Sequence, residues 1–302
     1  MEKMMLLAPN FSEYKNREVV DEILDCFRKR DDLYFVNWQG DETYNRFSPS
    51  YLGEPEAVID ATVNAIGKGV ELIDMRKHKG QHPRMGATDI IPVTPYKGCT
   101  MEEAQQVAHE IGRIAAERFD LPIYMFGSCA SAPHREKLSE VRKGEFEGLA
   151  EKIKDPLWKP DYGPAEMHPT AGATLLTAMD FMVPLDVLLN SMDLDIAKDI
   201  ARQIRYSSGG YRDVMAIAAK HEDTGLVEVS MDLNDFRKTS VFKVLESVKA
   251  LAGKYGVTVR SCSMGLVPME VVCSIARDYL NLTYLNGEDF TVDHIFESHM
   301  IK

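Results

Sequence analysis

The chain has 302 residues, 45% of them hydrophobic and 27% charged, with a formal net charge of −12. That length allows two domains with real cores, and the acidic balance argues against a general binder of nucleic acid or anionic membrane, which needs surplus positive charge. No apolar run approaches the roughly 18 residues of a membrane span, the run at Met4–Ala8 is too short for a secretory core, and Cys26, Cys99, Cys129, Cys262 and Cys273 are scattered without metal-ligand spacing, so a cytoplasmic, metal-free protein with reduced thiols is expected.

Residues 4–8 read as a first strand. Val19, Val20, Ile23, Leu24 and Phe27 recur at helical spacing and predict an amphipathic helix over 17–29. Leu33–Val36 reads as a strand, Gln39-Gly40-Asp41-Glu42 as a turn, and Tyr44–Leu52 as the next strand. Pro55 opens a helix that runs to about Asp74, with Pro in the first turn and acids suited to the dipole. A strand over 89–94 follows. Thr100 and Glu103 then form a capping box for a helix ending near Arg118, and Leu121–Phe126 is a further strand.

Residues 127–172, rich in Gly, Pro, Lys and Glu, read as surface structure joining two halves, with a short helix over 135–143. The second half predicts an apolar, partly strand-forming stretch over 174–188 and a helix over 194–206. A hairpin of 213–220 and 225–231 turns at Asp-Thr-Gly. A helix over 240–255, a strand over 257–264 and a helix from Pro268 to Leu280 complete it, before an acidic, aromatic tail from Asn281. Both halves thus read β-α-β-β-α-β, the split βαβ or ferredoxin-like pattern, in an α+β protein.

No phosphate-binding loop, GxGxxG, HExxH or GxSxG occurs, so nucleotide cofactors and the common hydrolase schemes lose their support. The segment richest in chemistry is Arg76–Asp89. From 76 to 84 it holds two Arg, two Lys and two His with no acid, between a helix and a strand. Pro83 stiffens the backbone beside His82, and Gly86 permits a close approach. A His held this way beside Arg suits acid/base work on an anion, although a solvated basic face and a structural His explain the same residues.

Several segments in order give the chain a more specific likeness. Pro9-Asn10-Phe11-Ser12-Glu13, Asn45-Arg46, Ile73-Asp74-Met75 followed by His78-Lys79-Gly80, and above all His82-Pro83-Arg84-Met85-Gly86-Ala87 lead it. Asp161-Tyr162-Gly163, Pro169, Gly172 and Gly265-Leu266-Val267-Pro268 complete it. With these the chain resembles the glutamate formiminotransferase family, the folate-dependent enzymes of histidine breakdown, over nearly its whole length.

The resemblance implies transfer of the formimino group from N-formimino-L-glutamate to N5 of tetrahydrofolate, giving 5-formiminotetrahydrofolate and glutamate. It implies two tandem ferredoxin-like subdomains, 1–172 and 173–302, with folate as co-substrate, no metal, a homodimer and no cyclodeaminase domain. His82 becomes the expected acid/base. Asn10, Asp41, Asn45, Arg46, Arg84 and Gly86 become candidate substrate-binding residues. Gly163, Pro164, His168, Pro169, Thr170 and Gly172 fall on the family's folate-contacting segment. The chain departs from the family at Gln39 and Ser128, where acids are usual. An alternative is therefore a paralogue acting on another one-carbon folate, such as 5-formyltetrahydrofolate, or a folate binder without turnover.

Overall fold

A computed structural model describes residues 3–282, so most of the expected acidic tail lies outside the described residues. The chain divides between Met179 and Asp180 into two compact units. Among the described residues these hold eight α-helices and two sheets.

The first unit runs β1 (Met4–Leu7), β2 (Asn10–Phe11), α1 (Arg17–Arg28), β3 (Leu33–Asp41), β4 (Arg46–Gly53), α2 (Pro55–Leu72), β5 (Thr88–Lys97), α3 (Met101–Phe119) and β6 (Ile123–Met125). It ends with α4 (Leu138–Arg142), α5 (Glu145–Lys152) and β7 (Thr174–Ala178). Across its seven-stranded sheet the order is β3, β4, the interrupted pair β1 and β2, β5, β7, β6. β7 lies parallel to both β5 and β6, and the other pairings are antiparallel.

The local chemistry explains most of these elements. Asn16 caps α1, and Thr100 with Glu103 closes the capping box of α3. Val20, Ile23, Leu24 and Phe27 of α1 enter one core with Val58, Ile66, Ile111 and the inner faces of β1, β4 and β5. Gln39-Gly40-Asp41 does not turn as expected. These residues extend β3, which pairs only with β4 among the described residues, and an exposed edge tolerates polar side chains. A Cβ on Gly40 would lie 2.3 Å from the Tyr14 ring, so glycine lets that ring cover the strand. The turn falls at 42–45 instead.

The stretch 127–172 is more than a connection. Tyr124 and Leu175 point away from Ile123 and Leu176, and they build a second core with Val141, Leu149 and Ile153. Helices α4 and α5 thereby cover the opposite face of β6 and β7, and every residue of β7 is buried. Strand β7 also differs from the expected break after residue 172. Its period-2 alternation serves two cores of the first unit, so the apolar stretch over 174–188 is shared between units.

The second unit contains β8 (Val183–Leu189), α6 (Leu194–Ile204), β9 (Val214–Lys220), β10 (Val227–Leu233), α7 (Val241–Lys254), β11 (Val259–Met264) and α8 (Met269–Leu280). Its four strands are antiparallel in the order β11, β8, β10, β9. β8 and β10 alternate buried and half-buried residues, and their buried set packs on α6 and α7. No described helix is long and apolar enough to cross a membrane.

Candidate functional site

Residues 73–87 carry the chain from α2 to β5, and close backbone contacts hold them. A Cβ on Gly80 would sit 2.1 Å from the Tyr44 carbonyl oxygen, and Gln81 N donates to Thr43 O at 3.1 Å. The loop therefore lies on the 42–45 turn. Asn45 occupies that turn at φ 47°, a conformation Asn tolerates, and its Oδ1 accepts from Tyr14 N and Lys15 N. At the other end Gly86 bridges Gly172. Ala87 N donates to Ala171 O at 2.9 Å and Ala173 N to Met85 O at 3.2 Å, while a Cβ on Gly86 would lie 2.2 Å from Ala173 O. Only glycine fits between these strands.

His82 is half-buried, with the Tyr44 ring edge-on at 5.6 Å. Its Nδ1 lies 2.8 Å from the Pro83 carbonyl oxygen. A carbonyl can only accept, so Nδ1 carries the proton and Nε2 presents a lone pair. Burial, then the charges of Arg46 and Arg142, push the imidazole down to about 3, against smaller upward pulls from the Pro83 carbonyl and Asp89. At neutral pH the ring is an uncharged acceptor.

The two arginines meet on Asp89 at the start of β5. Asp89 is fully buried, and its Oδ2 accepts from Arg46 Nη1 at 2.6 Å and Arg142 Nη2 at 2.7 Å. Its Oδ1 accepts from Met85 N at 2.7 Å, and Asn10 Oδ1 accepts from Arg46 Nε at 3.1 Å. Burial alone pushes the Asp89 carboxyl up, but Arg142 and Arg46 outweigh it and hold the group below the usual carboxylate range. Two guanidiniums face one carboxylate, so the cluster carries one positive charge in excess. Both arginine side chains are only 11% exposed.

Arg84 points to a different set of partners. Nη1 reaches Glu145 and Glu147 at 2.8 Å, Nη2 reaches Glu147 at 2.6 Å, and Nε donates to His78 Nδ1 at 3.3 Å. His78 Nε2 in turn donates to Asn45 O at 2.9 Å. The His78 ring is thus neutral and used on both nitrogens, and burial lowers its pKa. Among the described residues no group of three or more His, Cys, Asp or Glu side chains is placed to hold a metal ion.

Residues 4–179 match the model of the formiminotransferase domain, N-terminal subdomain, and residues 185–292 that of the formiminotransferase domain. The chain belongs to the formiminotransferase family. It is 35% identical to glutamate formimidoyltransferase of Streptococcus pyogenes serotype M1, with 100% of each chain covered. The enzyme of that name from Thermoplasma acidophilum is also 35% identical, over 98% of this chain and 96% of its own. Formimidoyltransferase-cyclodeaminase of Rattus norvegicus is 34% identical over 92% of this chain but only 53% of its own length.

Within this formiminotransferase fold the expected residues divide by position. Arg46 and Asn10 join the Asp89 cluster, whose charge acts on His82. Arg84, a candidate substrate-binding residue, has its guanidinium engaged by two glutamates, which ties the loop to α5. Asn45 and Gly86 hold backbone. Asp41 is exposed at the end of β3, and its Oδ1 accepts from Tyr44 N at 2.8 Å. The carboxylate whose charge reaches His82 is Asp89, as the smallest of the influences on the ring. Ser128 donates to Ala178 O beside β7.

The expected folate segment adjoins the motif. His168 Nδ1 accepts from Ala171 N at 3.0 Å, a ring-capped turn, and burial lowers this histidine's pKa. Thr170 O accepts from Met75 N at 2.9 Å. Gly163 and Gly172 have φ +83° and +71°, and a Cβ on either would strike a backbone carbonyl, Leu121 O at 2.4 Å or Met85 O at 2.2 Å. Pro164 is half-buried and Pro169 exposed. Sequence reasoning missed Asp89, Arg142, Glu145 and Glu147 as site components. For Asp89 one signal was present, an acid that ends a basic stretch as an apolar strand begins.

Proposed function

We propose that this chain transfers the formimino group from N-formimino-L-glutamate to N5 of tetrahydrofolate, with His82 as the proton carrier. The observation that carries this reading is the neutral His82 imidazole, with Nδ1 bound to a carbonyl and Nε2 left as base, beside a buried cluster with excess positive charge. As N5 attacks the formimino carbon, a new C–N bond forms and Nε2 takes the N5 proton. The tetrahedral intermediate then collapses, the bond from carbon to the glutamate nitrogen breaks, and the same proton passes to that nitrogen. The products are 5-formiminotetrahydrofolate and glutamate, and no further reactant is consumed. Held imidazole, attacking nitrogen and leaving nitrogen need only small displacements, which is the advantage of a stiff loop.

The strand order β11, β8, β10, β9 of the second unit, and the same order around β1–β5 in the first, support reading both as ferredoxin-like. Gly163, Pro164, His168, Pro169, Thr170 and Gly172 are read as a rigid rim for the folate, because the 168–172 turn is pinned to the motif loop. A paralogue acting on 5-formyltetrahydrofolate is not favoured, since the full-length relatives are named as formimidoyltransferases. A cytoplasmic homodimer accords with the family likeness.

The deciding experiment is a tetrahydrofolate-dependent turnover assay with formiminoglutamate, run beside 5-formyltetrahydrofolate alone. Product in the first mixture, lost by about 10²- to 10⁴-fold in kcat in His82→Ala, is the expected result. Full activity in His82→Ala would remove the histidine from the reaction.

A further inference from the structure

We propose that Arg142, acting with Arg46, binds the α-carboxylate of formiminoglutamate. This deepens the transferase reading above and rests on it.

The geometry begins with an imbalance. Asp89 is the carboxylate shared by Arg46 and Arg142, so one guanidinium charge is left over in a cluster that water barely reaches. A buried excess charge is costly, and proteins keep one where a ligand of opposite charge completes it. One donor is also unused: Arg142 Nε is buried and, among the described residues, has no hydrogen-bond partner. Such orphans are rare because a missing hydrogen bond costs nearly the full desolvation of the group. The remaining fork of Arg142 matches a planar carboxylate.

Arg142 is held firmly enough to serve. It is the last residue of α4, and Lys152 Nζ reaches the Glu140, Val141 and Lys143 carbonyls at 2.8, 2.7 and 3.2 Å, fastening the end of that helix. Val141 beside it is fully buried.

The chemistry selects the α-carboxylate among the acids present. His82 must hand its proton to the nitrogen on the α-carbon of glutamate, and the α-carboxylate sits on that same carbon. Met85, three residues after His82, donates to Asp89, and the Tyr44 ring that meets His82 lies two residues before Arg46, so the cluster is anchored on both sides of that histidine. The glutamyl tail of the folate is separated from N5 by the whole aminobenzoyl unit, and the distal carboxylate of formiminoglutamate lies further from the leaving nitrogen.

Occupation also prepares the base. The groups acting on His82 are Arg46 of β4, Arg142 of α4, Asp89 of β5 and its own neighbour Pro83. Burial is the largest cause of the lowered His82 pKa; an anion on the two arginines removes the next two, the charges of Arg46 and Arg142, and so moves the imidazole part of the way back up.

The test uses the full chain. Arg142→Gln raises KM for formiminoglutamate about 10- to 100-fold, the range for a lost hydrogen bond to a charged group, and leaves KM for tetrahydrofolate unchanged. Arg142→Lys, which keeps charge but not the fork, falls between. The wild type prefers formiminoglutamate to N-formimino-γ-aminobutyrate, which lacks the α-carboxylate, and Arg142→Gln erases that preference. A folded Arg142→Gln with unchanged KM for formiminoglutamate, or with a raised KM for tetrahydrofolate alone, overturns the assignment while leaving the transferase reading intact. In the wild type, titration of His82 by NMR shows its pKa rising when glutamate is added, and no rise also overturns it. Absence of turnover with formiminoglutamate would instead strike the reading on which the inference rests.

Discussion

Two arginine clusters flank the same loop and are built to opposite ends. Around Arg84, two glutamates and a histidine take up the guanidinium, and both His78 nitrogens are bonded. Around Asp89, two arginines share one carboxylate, and a buried donor is left over. The first is a closed fastening between the loop and α5. The second is charged, dry and incomplete, which is a poor way to hold a fold and a good way to hold an anion. The arginine inside the motif is thus the strut, and the arginine 53 residues beyond Asp89 is the better ligand.

The sharpest way to break this contrast is to remove Asp89. Asp89→Asn leaves two buried guanidiniums facing each other and is expected to destabilise the first unit by about 3–5 kcal/mol in urea unfolding. A loss under about 1 kcal/mol would mean that water enters the cluster freely. Next comes Gly172→Ala, where positive φ and a carbonyl 2.2 Å from the new Cβ combine. More than about 1 kcal/mol is expected, with loss of turnover because the clash falls on the motif loop at Met85.

Acid gives a graded effect. The folded His82 pKa of about 3 lies below the unfolded value near 6.5, so the unfolded chain binds more protons between those limits. Stability is therefore full above about pH 6.5 and falls as the pH drops toward 3. The lowered pKa values of His78, His168 and Asp89 act in the same direction. His82→Gln should flatten the difference between urea midpoints at pH 7 and pH 4.5, and an unchanged slope would show that the ring is solvated. Smallest is Glu147→Gln. This carboxylate is 61% exposed and Glu145 still engages Arg84, so a loss below about 1 kcal/mol with unaltered KM is expected. A large rise in KM would move Arg84 back among the ligands.

Much of this was legible along the chain because it is local. The capping box at Thr100, the stripe of α1 and the hairpin turn before β10 are each local, and period, capping and turn chemistry reveal them. The motif around His82 was legible too, as a stiff basic loop. What stayed hidden was partnership across distance. Arg142 and Glu147 lie in a stretch whose composition reads as surface, and only the folding of α4 and α5 onto β6 and β7 brings them to Asp89 and Arg84. Gln39 misled for a related reason: a polar Gly-containing sequence suits a turn and an exposed edge strand equally, and Tyr14 decides between them.

Strand β7 has a consequence for how such a chain is made. It is the last strand of its sheet in sequence, yet it lies between β5 and β6. During synthesis those two strands emerge well before the piece that joins them, and Gly86 waits for Gly172 just as long. At about 5–20 residues per second the ribosome takes several seconds to deliver the missing span. Until residue 178 has cleared the exit tunnel, β5 and β6 lack the strand that joins them and the histidine loop lacks its bridge to Gly172.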